Sequence, residues 1–201
     1  MFPTTNAKYE LPAVNEILAS VGQAPVTTLD QTNPDVAIAY DTLLNVSREV
    51  QAEGWTFNKE YDYPFAPDSN KFIRIPNNIL QLDLTDEYRH VDSIRRDGRL
   101  YDKTNHTYEW ENSICCDVVW YFDWIDLPQP IKDYIVARSA SIVSSRIVGD
   151  GQQYQMLQQK EAYTRAFALE YECNQGDYTF FGHPKGGNFY NSYQPYKTLA
   201  R

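Results

Sequence analysis

Asn33-Pro34-Asp35-Val36-Ala37-Ile38-Ala39-Tyr40-Asp41-Thr42-Leu43-Leu44-Asn45-Val46-Ser47-Arg48-Glu49-Val50-Gln51-Ala52-Glu53-Gly54-Trp55-Thr56-Phe57-Asn58 is the stretch from which the rest of the chain is read. Asn33 is a good N-cap, because its side-chain oxygen can accept a free backbone N–H of the first turn. Pro34 suits the first helical position, where a missing N–H costs nothing. Asp35 sets a negative charge at the positive end of the helix dipole. Val36, Ala39, Tyr40, Leu43, Leu44 and Val50 fall on one helical face. Gly54 can adopt the left-handed conformation that closes the last turn. Trp55 and Phe57 then alternate with Thr56 and Asn58, a strand-like pattern, so a long helix is expected to hand straight over to a sheet.

Upstream, residues 1–10 are expected to be loosely ordered. Leu11-Pro12 opens a short helix carrying Val14, Ile17, Leu18 and Val21 on one stripe, and Gly22 ends it. Downstream, turn signals recur at Pro67–Asn70, Pro76–Asn78, Asp97-Gly98, Asn105-His106 and Glu111–Ser113. The strand candidates between them are Lys71–Ile75, Ile79–Leu84, Thr107–Trp110, Cys115–Tyr121 and a hairpin at Arg95–Leu100. That hairpin is strongly signalled, because Asp97-Gly98 accepts the positive φ of a type I′ turn. Many short strands with frequent turns point to a small sandwich or barrel.

After Leu127-Pro128-Gln129-Pro130, one helix runs to Gly149 and a second from about Gln152 to Asn174, with Tyr154, Leu157, Tyr163, Ala166, Phe167 and Tyr171 as its apolar stripe. Helices joined by so short a turn should pack antiparallel. The expected fold is therefore α+β. Residues 1–54 and 128–176 make a helical bundle, and 55–127 form an inserted antiparallel sandwich or barrel-like domain. Trp55 and Phe57, at the exit from the bundle, are expected to anchor one layer on the other. Residues 177–201 place Tyr178, Phe180, Phe181, Phe189, Tyr190, Tyr193 and Tyr196 among glycines and asparagines with no period of strand or helix. So many aromatics are costly to leave in water, and the segment is read as an extended arm that orders against a partner.

With 201 residues the chain can bury a sizeable core. The net charge of −9 divides as −5 over residues 1–54, −6 over 55–127 and +2 over 128–201. Such a chain is poorly suited to gripping nucleic acid, whose affinity comes from neutralising phosphates. Sixteen tyrosines either line strands or serve surfaces that become interfaces. Three cysteines, two of them adjacent, give no disulfide framework. No apolar run is long enough for a membrane span, and the first residues carry no signal-peptide pattern.

Catalytic and metal-binding patterns are weak. His90, His106 and His183 lie far apart with no metal-ligand spacing, and adjacent strand residues such as Cys115 and Cys116 point to opposite faces. Asp123 and Asp126 flank Trp124, as paired acids of a glycosidase would, though an anchored surface turn explains them better. Pro184–Asn188 lacks the spacing of a phosphate loop. Arg95, Arg96 and Arg99 are partly offset by Asp92 and Asp97 and read as surface charge. No catalytic residue, cofactor or metal is expected.

Ala13–Gly22, then Pro25-Val26 and Thr28-Leu29, then Gly54-Trp55-Thr56-Phe57-Asn58, resemble at this spacing the tail tubular protein A family, the head-to-tail adaptors of short-tailed, T7-like bacteriophages. The resemblance is strongest over residues 11–58 and does not reach the last 25 or so. It implies a structural virion protein, assembled in the host cytoplasm, that forms a dodecameric ring between the portal protein and the tail nozzle protein (tail tubular protein B). The ring would continue the DNA channel without sequence-specific binding, help attach tail fibres, and need no membrane. A contrasting expectation is a tail protein that degrades capsule polysaccharide through Asp123 and Asp126, or binds carbohydrate through Trp110, Trp120 and Trp124.

Overall fold

The computed structural model describes residues 7–30, 32–88 and 90–176. The aromatic arm, with Tyr178, Phe180, Phe181, Phe189, Tyr190, Tyr193 and Tyr196, lies outside the described residues, as does His183. Four helices and two small antiparallel sheets follow in the order α1 (Ala7–Ser20), α2 (Pro34–Ala52), β1 (Lys59–Phe65), β2 (Ile79–Leu84), β3 (Ser93–Arg96), β4 (Arg99–Asp102), β5 (Ile114–Trp120), α3 (Gln129–Ile147) and α4 (Gly151–Gly176). The fold is α+β. The chain divides into a helical unit, from Met1–Glu53 and Phe122–Glu172, and a β unit over Gly54–Tyr121.

In the helical unit the caps follow the local chemistry. The Asn33 side chain accepts the Asp35 N–H at 3.0 Å, Pro34 opens α2, and Gly54 has φ +78°. Val36, Ala39, Tyr40, Leu43, Val46 and Val50 are buried on α2, and Leu44 is half-buried. α1 starts four residues before Leu11, contrary to the expectation of loose order, and holds Pro12 in its interior. Proline there removes the bond to the Lys8 carbonyl. The extra turn carries buried Glu10, which accepts the Tyr40 hydroxyl at 2.8 Å, and that contact supports it.

α3 is the central element. It packs on both α1 and α2, and Ile131, Tyr134, Ile135, Ala137, Ser139, Ala140, Val143 and Ser144 are all buried. A helix buried on nearly all sides shows little amphipathic period. Its small serines and alanines let neighbouring helices come close.

In the β unit, β5 lies between β1 and β2, and β3 pairs with β4. Leu82 pairs with Val118 and Leu84 with Cys116. The hairpin forms where expected, with Asp97 at φ 53° and Gly98 at φ 69°. One core serves both sheets, built on Phe65, Ile73, Leu100, Trp110, Ile114 and Val118.

Three expectations are corrected among the described residues. No barrel closes, because β1 and β2 remain edges of a three-stranded sheet. Lys71–Ile75 and Thr107–Trp110 form only isolated bridges, Phe72 to Glu109, Arg74 to Arg99 and Asp102 to Thr107. Ile73 and Ile75 are nonetheless buried in the core, so the apolar pattern reported burial rather than a ladder. Trp55–Asn58 is a turn, and the strand begins at Lys59, because the Asn58 and Lys59 N–H groups both bond back to the Trp55 carbonyl.

Candidate functional site

The groups that suggested chemistry are dispersed. Asp123 and Asp126 are both exposed at a single 3-10 turn, while Trp124 between them is buried beside α1. Trp110 is buried with its indole N–H on the Leu100 carbonyl at 3.0 Å, and the Trp120 indole donates to Glu60 at 3.0 Å. Two of the three tryptophans thus offer no open ring face to a sugar. Cys116 is buried in the β unit, where desolvation pushes its thiol up to about 12, and Cys115 points to the opposite side of β5. Among the described residues, no group of three His, Cys, Asp or Glu side chains could hold a metal ion, and no helix is long and apolar enough to cross a membrane.

The arginines of the hairpin are engaged with their own unit. Arg95 donates to Asn77 at 2.7 Å, Arg96 stacks 4.3 Å from the Tyr101 ring, and Arg99 lies 4.6 Å from Phe72. The charge is spent on local cation–π and hydrogen-bond contacts, as the reading of ordinary surface charge anticipates.

Each chain crossing is tied by a buried carboxamide that the sequence analysis did not single out. In the helical unit, Gln51 accepts the Phe122 N–H at 2.8 Å and donates to the Phe122 carbonyl at 3.1 Å. A glutamine here stands in for a neighbouring strand and pins the returning chain to α2. In the β unit, Asn58 accepts the Trp55 N–H at 2.8 Å and donates to the Trp120 carbonyl at 2.8 Å. Trp55 is buried and Phe57 half-buried beside this turn. The only sequence signal for either amide was an uncharged polar residue on an otherwise apolar face or in an aromatic run.

α4 carries apolar residues on both its inward and its outward sides. Its inward side is joined to the unit by polar groups. Gln153 donates to the Ser20 carbonyl, Lys160 pairs with Glu16 at 2.6 Å, and the Ser141 hydroxyl donates to Glu161 at 2.6 Å. Arg165 donates to the buried Tyr134 hydroxyl at 2.6 Å and pairs with Glu53 at 3.3 Å. The bond to Tyr134, then the Tyr134 and Glu53 fields, hold the Arg165 guanidinium above its ordinary value against the cost of burial. These contacts confirm the antiparallel run of α3 and α4 but place long polar side chains between them. Tyr163 and Phe167, expected in the buried stripe, are instead 74% and 51% exposed, with Met156 at 72%. Ala166 is exposed as well, while Tyr154, Leu157 and Tyr171 are half-buried on the inward side, where Ala168 is fully buried. The expected residues do not share one face: Tyr154, Leu157 and Tyr171 fall on the side that carries Glu161 and Arg165, whereas Tyr163, Ala166 and Phe167 point away from it.

Among the described residues, then, the geometry offers anchoring and contact surface, and the comparisons with known proteins point to a structural family. A family model described as tail tubular protein matches residues 11–178, spanning both units. The chain is 26% identical over 167 residues to tail tubular protein A of Klebsiella phage KP34, covering 83% of this chain and 88% of the relative. With a match running from α1 through the end of α4, the chain belongs to the tail tubular protein family, structural components of bacteriophage tails.

Proposed function

We propose that the chain is the head-to-tail adaptor of a short-tailed phage. Copies close into a ring, a dodecamer by family resemblance, between the portal protein and the tail nozzle protein, tail tubular protein B. The ring continues the DNA channel, and tail fibres attach near its junction with the nozzle. The carrying observation is the family match over residues 11–178, which includes both units rather than one borrowed module. The exposed Met156, Tyr163 and Phe167 of α4 support the reading, since a chain that assembles keeps apolar surface for its neighbours.

In this reading the helical unit and the arm of 177–201, with its seven named aromatics, engage the portal and adjacent subunits. The β unit faces the nozzle and the fibres. Trp55 and Phe57 hold the exit from α2 between the two layers, and assembly takes place in the host cytoplasm. Negative-stain microscopy of the protein mixed with portal tests this. Stacked rings are expected, and deleting residues 177–201 should weaken stacking without altering the circular dichroism of the fold. A protein that never associates with portal rings overturns the adaptor reading.

A further inference from the structure

We propose that the outer face of α4 docks on a second copy of this chain, in the groove between α2 and α3. The inference rests on the ring reading above and names the two surfaces that would meet in it.

The face is defined by Met156, Tyr163 and Phe167, spaced seven and four residues apart and therefore on one side of the helix. The opposite side of α4 is already committed through Glu161 to Ser141 and through Arg165 to Tyr134 and Glu53, and at its edge Gln153 and Lys160 bond Ser20 and Glu16. The apolar side therefore cannot turn inward without breaking every one of those bonds.

The receiving surface lies in the same helical unit. A groove of about 440 Å³ is lined by Val46, Arg48, Glu49 and Ala52 of α2 and by Ile142 and Arg146 of α3. Its floor is apolar, and Arg146 stands at its rim, where Glu49 is paired with Arg138 at 3.1 Å. The α4 face carries the complementary charge. Glu170 stands one turn beyond Phe167 on the same side as Tyr163, and the nearby Lys160 is paired with Glu16. Since α4 is held by its other side, its outer face cannot reach the groove of its own chain. The contact is therefore between copies.

Two unlike surfaces make the contact heterologous, the kind that generates a ring when the rotation closes. Size sets its strength. Three large side chains of this exposure offer on the order of 400 Å², about half of what one partner contributes to a specific interface. A single junction should be weak, with closure supplying the avidity.

Sedimentation velocity on the full chain at rising concentration tests the contact with two surface variants. Tyr163→Asp/Phe167→Asp spoils the face, and Asn45→Trp/Arg146→Glu spoils the groove. Each alone should associate about tenfold more weakly than wild type. Mixed in equal amounts, they should form one-to-one dimers and nothing larger, because one good face meets one good groove. Glu170→Arg should weaken association, and joining it to Arg146→Glu should restore part of it. Variants that associate like wild type, a mixture without dimers, or a wild-type chain that stays monomeric throughout would each overturn the proposal. Stacking on the portal is scored separately. Rings that form in both variants overturn this contact and leave the adaptor reading intact. Wild-type rings that ignore the portal do the reverse.

Discussion

Gln51 shows how one side chain can join distant parts of the chain. It is fully buried, and its amide completes the hydrogen bonding of both backbone groups of Phe122. Gln51→Leu keeps the volume but removes both bonds to the part-buried N–H and C=O of Phe122, which costs about 2 kcal/mol in all. Chemical denaturation should show that loss, and a midpoint unchanged from wild type would refute the role. Asp102, the last residue of β4, is the β unit's counterpart. Burial works against its charge, but Asn105 and Thr104 donate to it at 2.7–3.1 Å, and together they hold its carboxyl below the ordinary carboxylate range. A depressed value means the charged carboxylate is the stabilising form. Its contribution is complete above the ordinary carboxylate range and fades as the pH falls through the lower folded value. Acid titration followed by near-ultraviolet circular dichroism should therefore show a shallower acid limb in Asp102→Asn than in wild type.

Elements read well from sequence where a local rule dominates. The cap at Asn33, the end of α2 at Gly54, the span of β2 and the turn at Asp97-Gly98 each depend on a few adjacent residues, and each stands as expected. β1 escaped notice because it is an edge strand, mostly exposed and bearing Pro64, so it shows neither an apolar run nor clean alternation. Pairing with β5 makes it a strand, and residues 61–62 bulge out where the register shifts, with Asp62 at φ 56°. The outward face of α4 was equally hidden. Its orientation depends on Glu16, Glu53 and Tyr134, residues far off in sequence. The same dependence makes α4 separable. Arg165→Met removes its bond to Tyr134 and its pairing with Glu53, and hydrogen exchange should quicken along α4 while the buried amides of α3 keep their protection. Equal loss of protection in both helices would mean that α4 is integral to the core.

At the scale of the molecule, charge is the property that the proposed adaptor role would use most directly. The chain carries −9, with the excess in the first two thirds of the sequence. Affinity for duplex DNA comes chiefly from cations that displace counterions from phosphates. Here the hairpin arginines are taken up by Asn77, Tyr101 and Phe72, and Lys71, Lys103 and Lys160 each pair with a carboxylate. A passage for DNA benefits from this, since a wall that attracts phosphate would hold the strand it must release. The free chain is therefore expected to leave duplex DNA unretarded in a gel even at about 50 mM salt, where electrostatic binding is strong. Reversing one exposed acid in each unit, Asp41→Lys and Asp83→Lys, extends the test to the particle. A reversal that faces the channel should slow DNA release, and one on the outside should leave it unchanged. Retention of DNA by the wild-type chain at low salt would show instead that its surface grips the strand.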